Sequence, residues 1–197
     1  FLKYDQQRMI RMFCHDYDAE FLYLRLLDRR YRISRKLGTI EWEAEDGWKS
    51  AGFLDAMTIY DLLCCAKDGA ALSGRYCQAE HLPGTMHGAN PAKGAFDDFA
   101  ARCDEDPEKL RKACLALGGI ELPMGELSFQ VPLFEFLPVM VQFWSADDEF
   151  PAVFKLMWDE NVLQFLRFET VCYAARFLVN RLQAHMGLAV EDTEGHM

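Results

Sequence analysis

The feature that most constrains the fold is the spacing of apolar residues, which changes repeatedly along the chain. Between residues 22 and 43 apolar and polar side chains alternate, and this period of two is typical of half-buried β-strands. Turn-forming residues at 28–30 and 37–39 divide the region into three segments. The first part of the chain therefore predicts a short helix at 3–13 followed by a three-stranded antiparallel meander.

Helical spacing replaces this alternation in the middle and at the end of the chain. Apolar residues recur at helical spacing at 53–64, in two short segments between 96 and 117, and over about five turns at 168–182. A second region of strands is predicted at 127–158, where the segment 136–144 is apolar on both faces and is typical of a central strand covered on both sides. The order of strands, helices, strands and a final helix predicts an α+β fold, with helices packed on an antiparallel or mixed sheet.

Several residues predict where these elements begin and end. Ser50 is suited to cap the helix at 53–64, and Asp106 is suited to cap the helix that begins with a proline at 107. Gly187 predicts the end of the last helix. Pro132 and Pro138 predict a bulge or a strand start, because proline has no N–H to donate to a neighbouring strand.

The length and composition favour one domain. The chain has 197 residues, of which 51% are apolar, and this is enough to fill a single core. We expect one α+β domain at 1–187 and a flexible tail at 188–197. The longest dense apolar run, 134–144, is too short to cross a bilayer.

The charge of the chain bears on the partners that it can bind. Lysine and arginine total 21 and aspartate and glutamate total 31, so the formal net charge is −10. Such a surface repels phosphate backbones and anionic lipids, and we predict neither nucleic acid nor a membrane as a partner. A basic run at 29–36 is the local exception, and we interpret it as the solvent-facing side of a hairpin.

The cysteines indicate a reducing compartment. There are seven, and no two are spaced as CxxC. An odd number of irregularly spaced cysteines argues against a disulfide framework and favours free thiols in the cytoplasm.

The first candidate site is the loop from residue 80 to residue 94, which is rich in glycine and proline. Its Glu80, His81, Met86 and His87 are candidate ligand-binding residues, because imidazole and thioether groups bind metals and the iron or cobalt of a macrocycle. The spacing of the two histidines fits no standard metal motif. A surface loop with solvated histidines is the alternative.

The second candidate site is an acidic segment that follows the apolar strand. Trp144 precedes Asp147, Asp148 and Glu149. These carboxylates are suited to bind a ligand or a divalent cation, and one of them is suited to act as a general base with a raised pKa. Alternatively, the aspartates only form the turn by accepting hydrogen bonds from nearby backbone N–H groups. The common signatures of nucleotide-binding, zinc-protease and hydrolase sites are missing from the sequence.

Two stretches of the chain resemble one known family. The first contains IYDLL at 59–63, AALSGRY at 70–76, EHLPG at 80–84 and GAF at 94–96; the second contains ALGG at 116–119, Pro132, FW at 143–144, DDEFP at 147–151 and WD at 158–159. In this order they resemble the domain of unknown function family 3786, over residues 20 to 185. The resemblance implies an anaerobic cytoplasm and the handling of a cofactor or corrinoid, since some members carry an added iron–sulfur segment. The present chain lacks such a cysteine-rich segment, and His81 and Trp158 depart from the pattern.

Three functions are compatible with these observations. The first is an accessory protein of anaerobic metabolism that binds a small molecule or cofactor, such as haem or a corrinoid, beneath the loop at 80–94. The second is an enzyme that uses a carboxylate at 147–149 with His81 or His87 as acid and base. The third is an interaction module that forms a homodimer through exposed aromatic residues.

Overall fold

The computed structural model of the protein describes residues 1–14, 16–84 and 96–190. The described residues form five α-helices, two short 3₁₀ turns at Ala79–His81 and Val162–Gln164, and ten strands. The helices are α1 (Gln6–Met12), α2 (Phe53–Cys65), α3 (Asp97–Glu105), α4 (Pro107–Ala116) and α5 (Phe168–Met186). The strands are β1 (Asp16–Tyr17), β2 (Phe21–Leu26), β3 (Arg29–Ser34), β4 (Ile40–Ala44), β5 (Gly47–Ser50), β6 (Tyr76–Cys77), β7 (Ile120–Glu121), β8 (Leu127–Phe134), β9 (Leu137–Trp144) and β10 (Val153–Asp159).

The described strands divide between two sheets, in which all neighbours are antiparallel. The first sheet has the order β1-β2-β3-β4-β5, and the second has the order β6-β10-β9-β8-β7. The predicted α+β class is confirmed. The two sheets approach each other at the β2–β3 hairpin, where the N–H of Leu27 donates a 2.8 Å hydrogen bond to the C=O of Leu133 in β8.

The first sheet contains the predicted meander. Strands β2, β3 and β4 lie within the region of alternating residues, and β1 and β5 extend the sheet at its two edges. The predicted turn at 28–30 is wrong by about one residue, because Leu26 pairs with Arg29 and leaves Leu27 and Asp28 as the turn. Leu27 has φ of 52°, a left-handed conformation that is uncommon outside glycine.

The basic run at 29–36 enters β3 and faces charged and aromatic neighbours. The guanidinium of Arg32 pairs with Glu41 on β4 at 2.7 Å. It also lies 4.5 Å from the ring of Phe21 and 4.4 Å from the ring of Trp48. These side chains therefore form a half-buried to exposed face of the sheet, on which the charge of Arg32 is already paired.

The three central strands of the second sheet, β8, β9 and β10, bury one face. In β9 the residues Leu137, Val139, Val141 and Phe143 are all fully buried, and they alternate with half-buried residues on the opposite face. Strand β9 is central, as predicted, but the prediction that it is covered on both sides is wrong for this second face. Pro132 pairs directly with Pro138, and the register of β8 and β9 shifts between Pro132 and Phe134. The predicted bulge and strand start are therefore both present.

Local signals explain some of the helix bounds. Asp106 caps α4, as predicted, by accepting from the N–H of Lys109. Ser50 belongs to β5, so Gly52 takes the N-cap position of α2 that we predicted for Ser50. Helix α5 ends at Gly187, whose φ of 73° allows the N–H of the next residue, Leu188, to bond to the last turn. No helix within the described ranges is long and apolar enough to cross a membrane.

A buried carboxylate connects the middle of the chain to the second sheet. Asp159, at the end of β10, is fully buried and accepts hydrogen bonds from the N–H groups of Ser73, Gly74 and Asn161 at 2.8–2.9 Å. Desolvation raises its pKa, but these backbone donors outweigh desolvation and lower the pKa below its ordinary value. Asp159 therefore holds the segment at 73–74 beside β10, in addition to capping the turn that follows the strand.

Candidate functional site

A cleft lies where the first sheet meets the β8–β9 hairpin. It has a volume of about 400 Å³. We call it the edge cleft and define it by Phe13, Tyr23, Arg25, Glu135 and Phe136, which line it together with the ion pair of Asp16 and Arg30. The cleft brings together the end of α1, strands β1 to β3 and the turn between β8 and β9.

The cleft exists because β1 covers only part of the edge of β2. Strand β1 pairs with β2 at Leu22 and Tyr23, whereas β2 continues to Leu26. The turn that contains Glu135 and Phe136 approaches the uncovered part of this edge from the other sheet. The short length of β1 therefore leaves the space that forms the cleft.

The uncovered edge directs main-chain groups of β2 toward this space. The C=O of Phe21 accepts a hydrogen bond from the N–H of Asp18, on the side away from β3. The N–H of Leu27 donates to the C=O of Leu133, also away from β3. Since successive residues of a strand direct their N–H and C=O groups to alternate sides, the main-chain groups of Arg25 point to the open edge as well.

Stacked aromatic rings line one side of the cleft. The ring of Phe136 stacks on Phe13 with centroids 5.2 Å apart and on Phe134 with centroids 5.8 Å apart. It also contacts Phe165, at 6.0 Å. Phe136 is nevertheless 37% exposed, so part of an aromatic surface that is held in place by three neighbours faces the cleft.

The second aromatic residue of the cleft, Tyr23, is held by a hydrogen bond. Its hydroxyl donates to a carboxylate oxygen of Asp18 at 2.9 Å, and this bond raises the pKa of Tyr23. Backbone donation from Phe21 and Glu20, followed by the tyrosine hydroxyl, lowers the pKa of Asp18. The phenol therefore stays neutral at physiological pH and presents its ring to the cleft.

The charges of the cleft fall into two groups. The guanidinium of Arg30 pairs with Asp16 at 2.9 Å and with Glu43 at 3.7 Å, and it lies 4.6 Å from the ring of Tyr23. Arg25 and Glu135 are exposed, and neither side chain forms an ion pair or hydrogen bond with any residue in the described ranges. The cleft thus has one available positive charge and one available negative charge that do not pair with each other.

The first residue of the acidic segment at 147–149 stabilises the turn itself. A carboxylate oxygen of Asp147 accepts from the N–H groups of Glu149 and Phe150, at 2.9 and 2.7 Å. These bonds lower the pKa of Asp147, which is opposite to the raised pKa expected of a general base. Asp148 and Glu149 are exposed, so the interpretation of this segment as a turn has direct support.

The remaining predicted residues lie around β10. Trp144 is half-buried at the end of β9, with the ammonium of Lys155 5.3 Å from its ring. Glu80 and His81 lie in the 3₁₀ turn after β6, and His81 is exposed. Met86 and His87 lie outside the described residues.

The pairing of β10 relates the two predicted sites to each other. Trp144 pairs with Val153 at the beginning of β10, and Cys77 of β6 pairs with Trp158 near its end. Val153 and Trp158 are five residues apart on an extended strand, so the two pairs lie about 17 Å from each other. Within the described ranges, no group of three or more histidine, cysteine or acidic residues is arranged to hold a metal ion.

Sequence reasoning missed the edge cleft, although two weak signals point to it. Arg25 is a charged residue in an otherwise apolar and aromatic strand, and Phe136 is an exposed ring in a tight turn. Neither signal identifies a site alone. The cleft depends on the contact between two sheets and on the length of β1. Neither feature can be predicted from a local pattern of residues.

Comparison with known proteins gives a family and no function. The model of the family described as Domain of unknown function (DUF3786) matches residues 5–181. No curated protein and no solved structure gives a significant match.

Proposed function

Because the chain belongs to the DUF3786 family, whose description names no activity, we propose from the geometry that this protein binds a small organic molecule in the edge cleft. The observation that carries the proposal is a cleft of about 400 Å³ in which aromatic rings lie together with charged side chains that have no partner among the described residues. Clefts that bind small molecules have volumes of roughly 300–1,000 Å³ and combine apolar surface with a few polar groups.

The aromatic residues supply the affinity in this proposal. An aromatic group of the ligand that packs on Phe136 gains on the order of 1 kcal/mol beyond the burial of apolar area. The ring of Phe136 is already held by Phe13, Phe134 and Phe165, so little side-chain freedom is lost when a ligand binds.

The chemistry of the cleft favours an organic ligand that needs no bond to a metal. Haem and corrinoids carry iron or cobalt, for which histidine, cysteine or methionine are the usual protein ligands. The described residues that line the cleft include none of these three. Binding of a tetrapyrrole near His81 and a role in anaerobic metabolism both remain predictions from the sequence.

A fluorescence titration tests the proposal. The probe is 8-anilinonaphthalene-1-sulfonate, an aromatic anion whose emission rises when it leaves water for an apolar site. We expect saturable binding to the wild-type protein. The variant Phe136→Ala is expected to bind at least about ten-fold more weakly, because it removes the exposed ring.

A matched variant separates the cleft from general surface hydrophobicity. Phe150 is 66% exposed on the turn at 147–150, and Phe150→Ala is expected to bind the probe as the wild-type protein does. Circular dichroism of each variant establishes that it is folded. If Phe136→Ala is folded and binds the probe with wild-type affinity, the proposal is wrong.

A further inference from the structure

We infer that the ligand of the edge cleft is a zwitterion with an apolar side group, namely an amino acid or a short peptide. The inference rests on the proposed function and adds the chemical class of the ligand. It follows from the two available charges of opposite sign, Arg25 and Glu135, which line one cleft without pairing.

The positions of the charged groups favour a ligand that carries both signs. Arg25 extends from β2 in the first sheet, and Glu135 extends from the β8–β9 turn in the second. A guanidinium binds a carboxylate through two N–H groups, and a carboxylate accepts from an ammonium group. A ligand with a carboxylate and an ammonium therefore offers a partner of opposite charge to each of these two residues.

A ligand with a single charge satisfies only one of these residues. A simple anion that reaches Arg25 leaves Glu135 unpaired in the same cleft, where like charges repel. A simple cation leaves Arg25 unpaired. The remaining charged residues do not change this balance, because Arg30 already pairs with Asp16 and Glu43.

The open edge of β2 adds a second reason for this class of ligand. The main-chain N–H and C=O of Arg25 point to the uncovered edge, where an added chain would pair with them. Amino acids and peptides carry both a donor and an acceptor next to an apolar side chain. An aromatic side chain of such a ligand would lie beside Phe136 and Tyr23, which both line the cleft.

Calorimetric titration with a set of related compounds tests the inference. L-Phenylalanine is compared with 3-phenylpropanoate, which lacks the ammonium, and with 2-phenylethylamine, which lacks the carboxylate. The dipeptide Gly-Phe is compared with its N-acetylated form, which lacks the ammonium. The affinities of Gly-Phe and L-phenylalanine, compared with each other, distinguish a peptide ligand from a free amino acid. We expect at least one zwitterion to bind about ten-fold or more tightly than its singly charged analogues, since one charge-assisted hydrogen bond is lost in each analogue.

Variants of the two charged residues identify the site of this selectivity. In Arg25→Gln the zwitterion should lose its advantage over the cationic analogue, and in Glu135→Gln it should lose its advantage over the anionic analogue. Arg102→Gln and Glu149→Gln replace exposed residues outside the lining of the cleft and should keep the wild-type order of affinities.

The outcomes distinguish the two proposals. If the fluorescent probe binds in a manner that depends on Phe136 but no zwitterion is preferred, the present inference is overturned and the proposed function stands. Retention of the preference in both Arg25→Gln and Glu135→Gln overturns the inference as well. Failure of Phe136→Ala to affect the probe overturns both proposals.

Discussion

The acidic turn at 147–149 and the edge cleft both carry exposed charged residues, and they differ in what those residues contact. In the turn, Asp147 accepts two backbone N–H groups, and its pKa is lowered accordingly. In the cleft, Arg25 and Glu135 have no partner within the described ranges. A run of acids is conspicuous in a sequence, but the structure uses its first member to shape a loop. Asp148 and Glu149 lie exposed on a surface turn, whereas Arg25 and Glu135 lie beside aromatic rings in a cleft, so the charges of the cleft are better candidates for binding.

The largest effect is expected when a carboxylate that accepts several hydrogen bonds is removed, and this variant tests whether hydrogen-bonded and free carboxylates differ. We expect Asp159→Ala to lower the free energy of unfolding by about 3 kcal/mol, because the N–H groups of Ser73, Gly74 and Asn161 all lose the buried carboxylate that accepts from them. Urea denaturation measures the loss. The control Asp148→Ala removes an exposed carboxylate and should leave the midpoint unchanged; equal effects of the two variants would show that hydrogen-bonded and free acids are not distinct classes.

A second prediction concerns Asp28, in the β2–β3 turn. Its carboxylate receives two hydrogen bonds from Arg181, at 3.0 and 2.6 Å, and contacts His185 at 2.8 Å. Both ends of the Arg181 pair are less than one-fifth exposed. We expect Asp28→Asn to cost about 2 kcal/mol at pH 7, measured by urea denaturation. The exposed pair of Asp46 and Lys49 is the comparison, and Asp46→Asn should move the midpoint much less.

The pH dependence of Asp28 sharpens that prediction. Desolvation raises its pKa, but the hydrogen bonds from Arg181 and His185 outweigh desolvation and lower the pKa overall. A carboxylate whose pKa is lower in the folded protein than in the unfolded protein stabilises the fold fully above its unfolded pKa, which is about 4 for aspartate. This stabilisation is lost as the pH falls through the pKa of the folded protein. The difference between wild type and Asp28→Asn should therefore shrink below about pH 4. A difference that stays constant from pH 7 to pH 3 would contradict this assignment.

A smaller effect is expected at the acidic turn itself. Asp147→Ala removes an acceptor of two backbone N–H groups at the surface and should lower the melting temperature by less than about 4 °C. Asp147→Asn retains an acceptor oxygen and should lower it less. Neither variant should change binding of the fluorescent probe by more than about twofold, because the turn is remote from the lining of the cleft. A large loss of probe binding would place the site at the turn.

The smallest effect on stability is expected at Arg25. Its side chain has no partner in the described part of the chain, so Arg25→Gln should change the melting temperature by less than about 2 °C. The same variant should weaken probe binding about ten-fold, because the sulfonate loses a charge-assisted hydrogen bond. Differential scanning fluorimetry and the probe titration give the two readouts. A variant that loses stability but keeps probe affinity would reverse the roles assigned to the turn and the cleft.

The regular elements were predictable from the sequence because their signals are local. The stripe on α5 extends over the whole helix, and Asp106 with Pro107 gives α4 a definite start. Alternation of apolar residues gives β2, β3 and β4 in the same way. Each of these patterns depends on neighbours within a few positions.

The features that were missed depend on contacts between distant residues. The residue type of Leu27 does not indicate its left-handed conformation. This conformation is stabilised by the hydrogen bond from Leu27 to Leu133 and by the contact of the neighbouring Asp28 with Arg181. The helix cap predicted at Ser50 failed because β5 uses that residue. The division into two sheets and the cleft between them arise from the same kind of long-range contact.

The pair of prolines in the β8–β9 hairpin restricts the register of the two strands, and this register positions one side of the edge cleft. Pro132 and Pro138 are directly opposite each other, and this arrangement is tolerated where the strand pair needs no N–H from either residue. If β9 slipped by one residue, the two prolines would occupy adjacent pairs, and one of those pairs always requires an N–H donor. The opposed prolines thus penalise a one-residue slip of the hairpin, and such a slip would move Glu135 and Phe136 relative to the edge cleft.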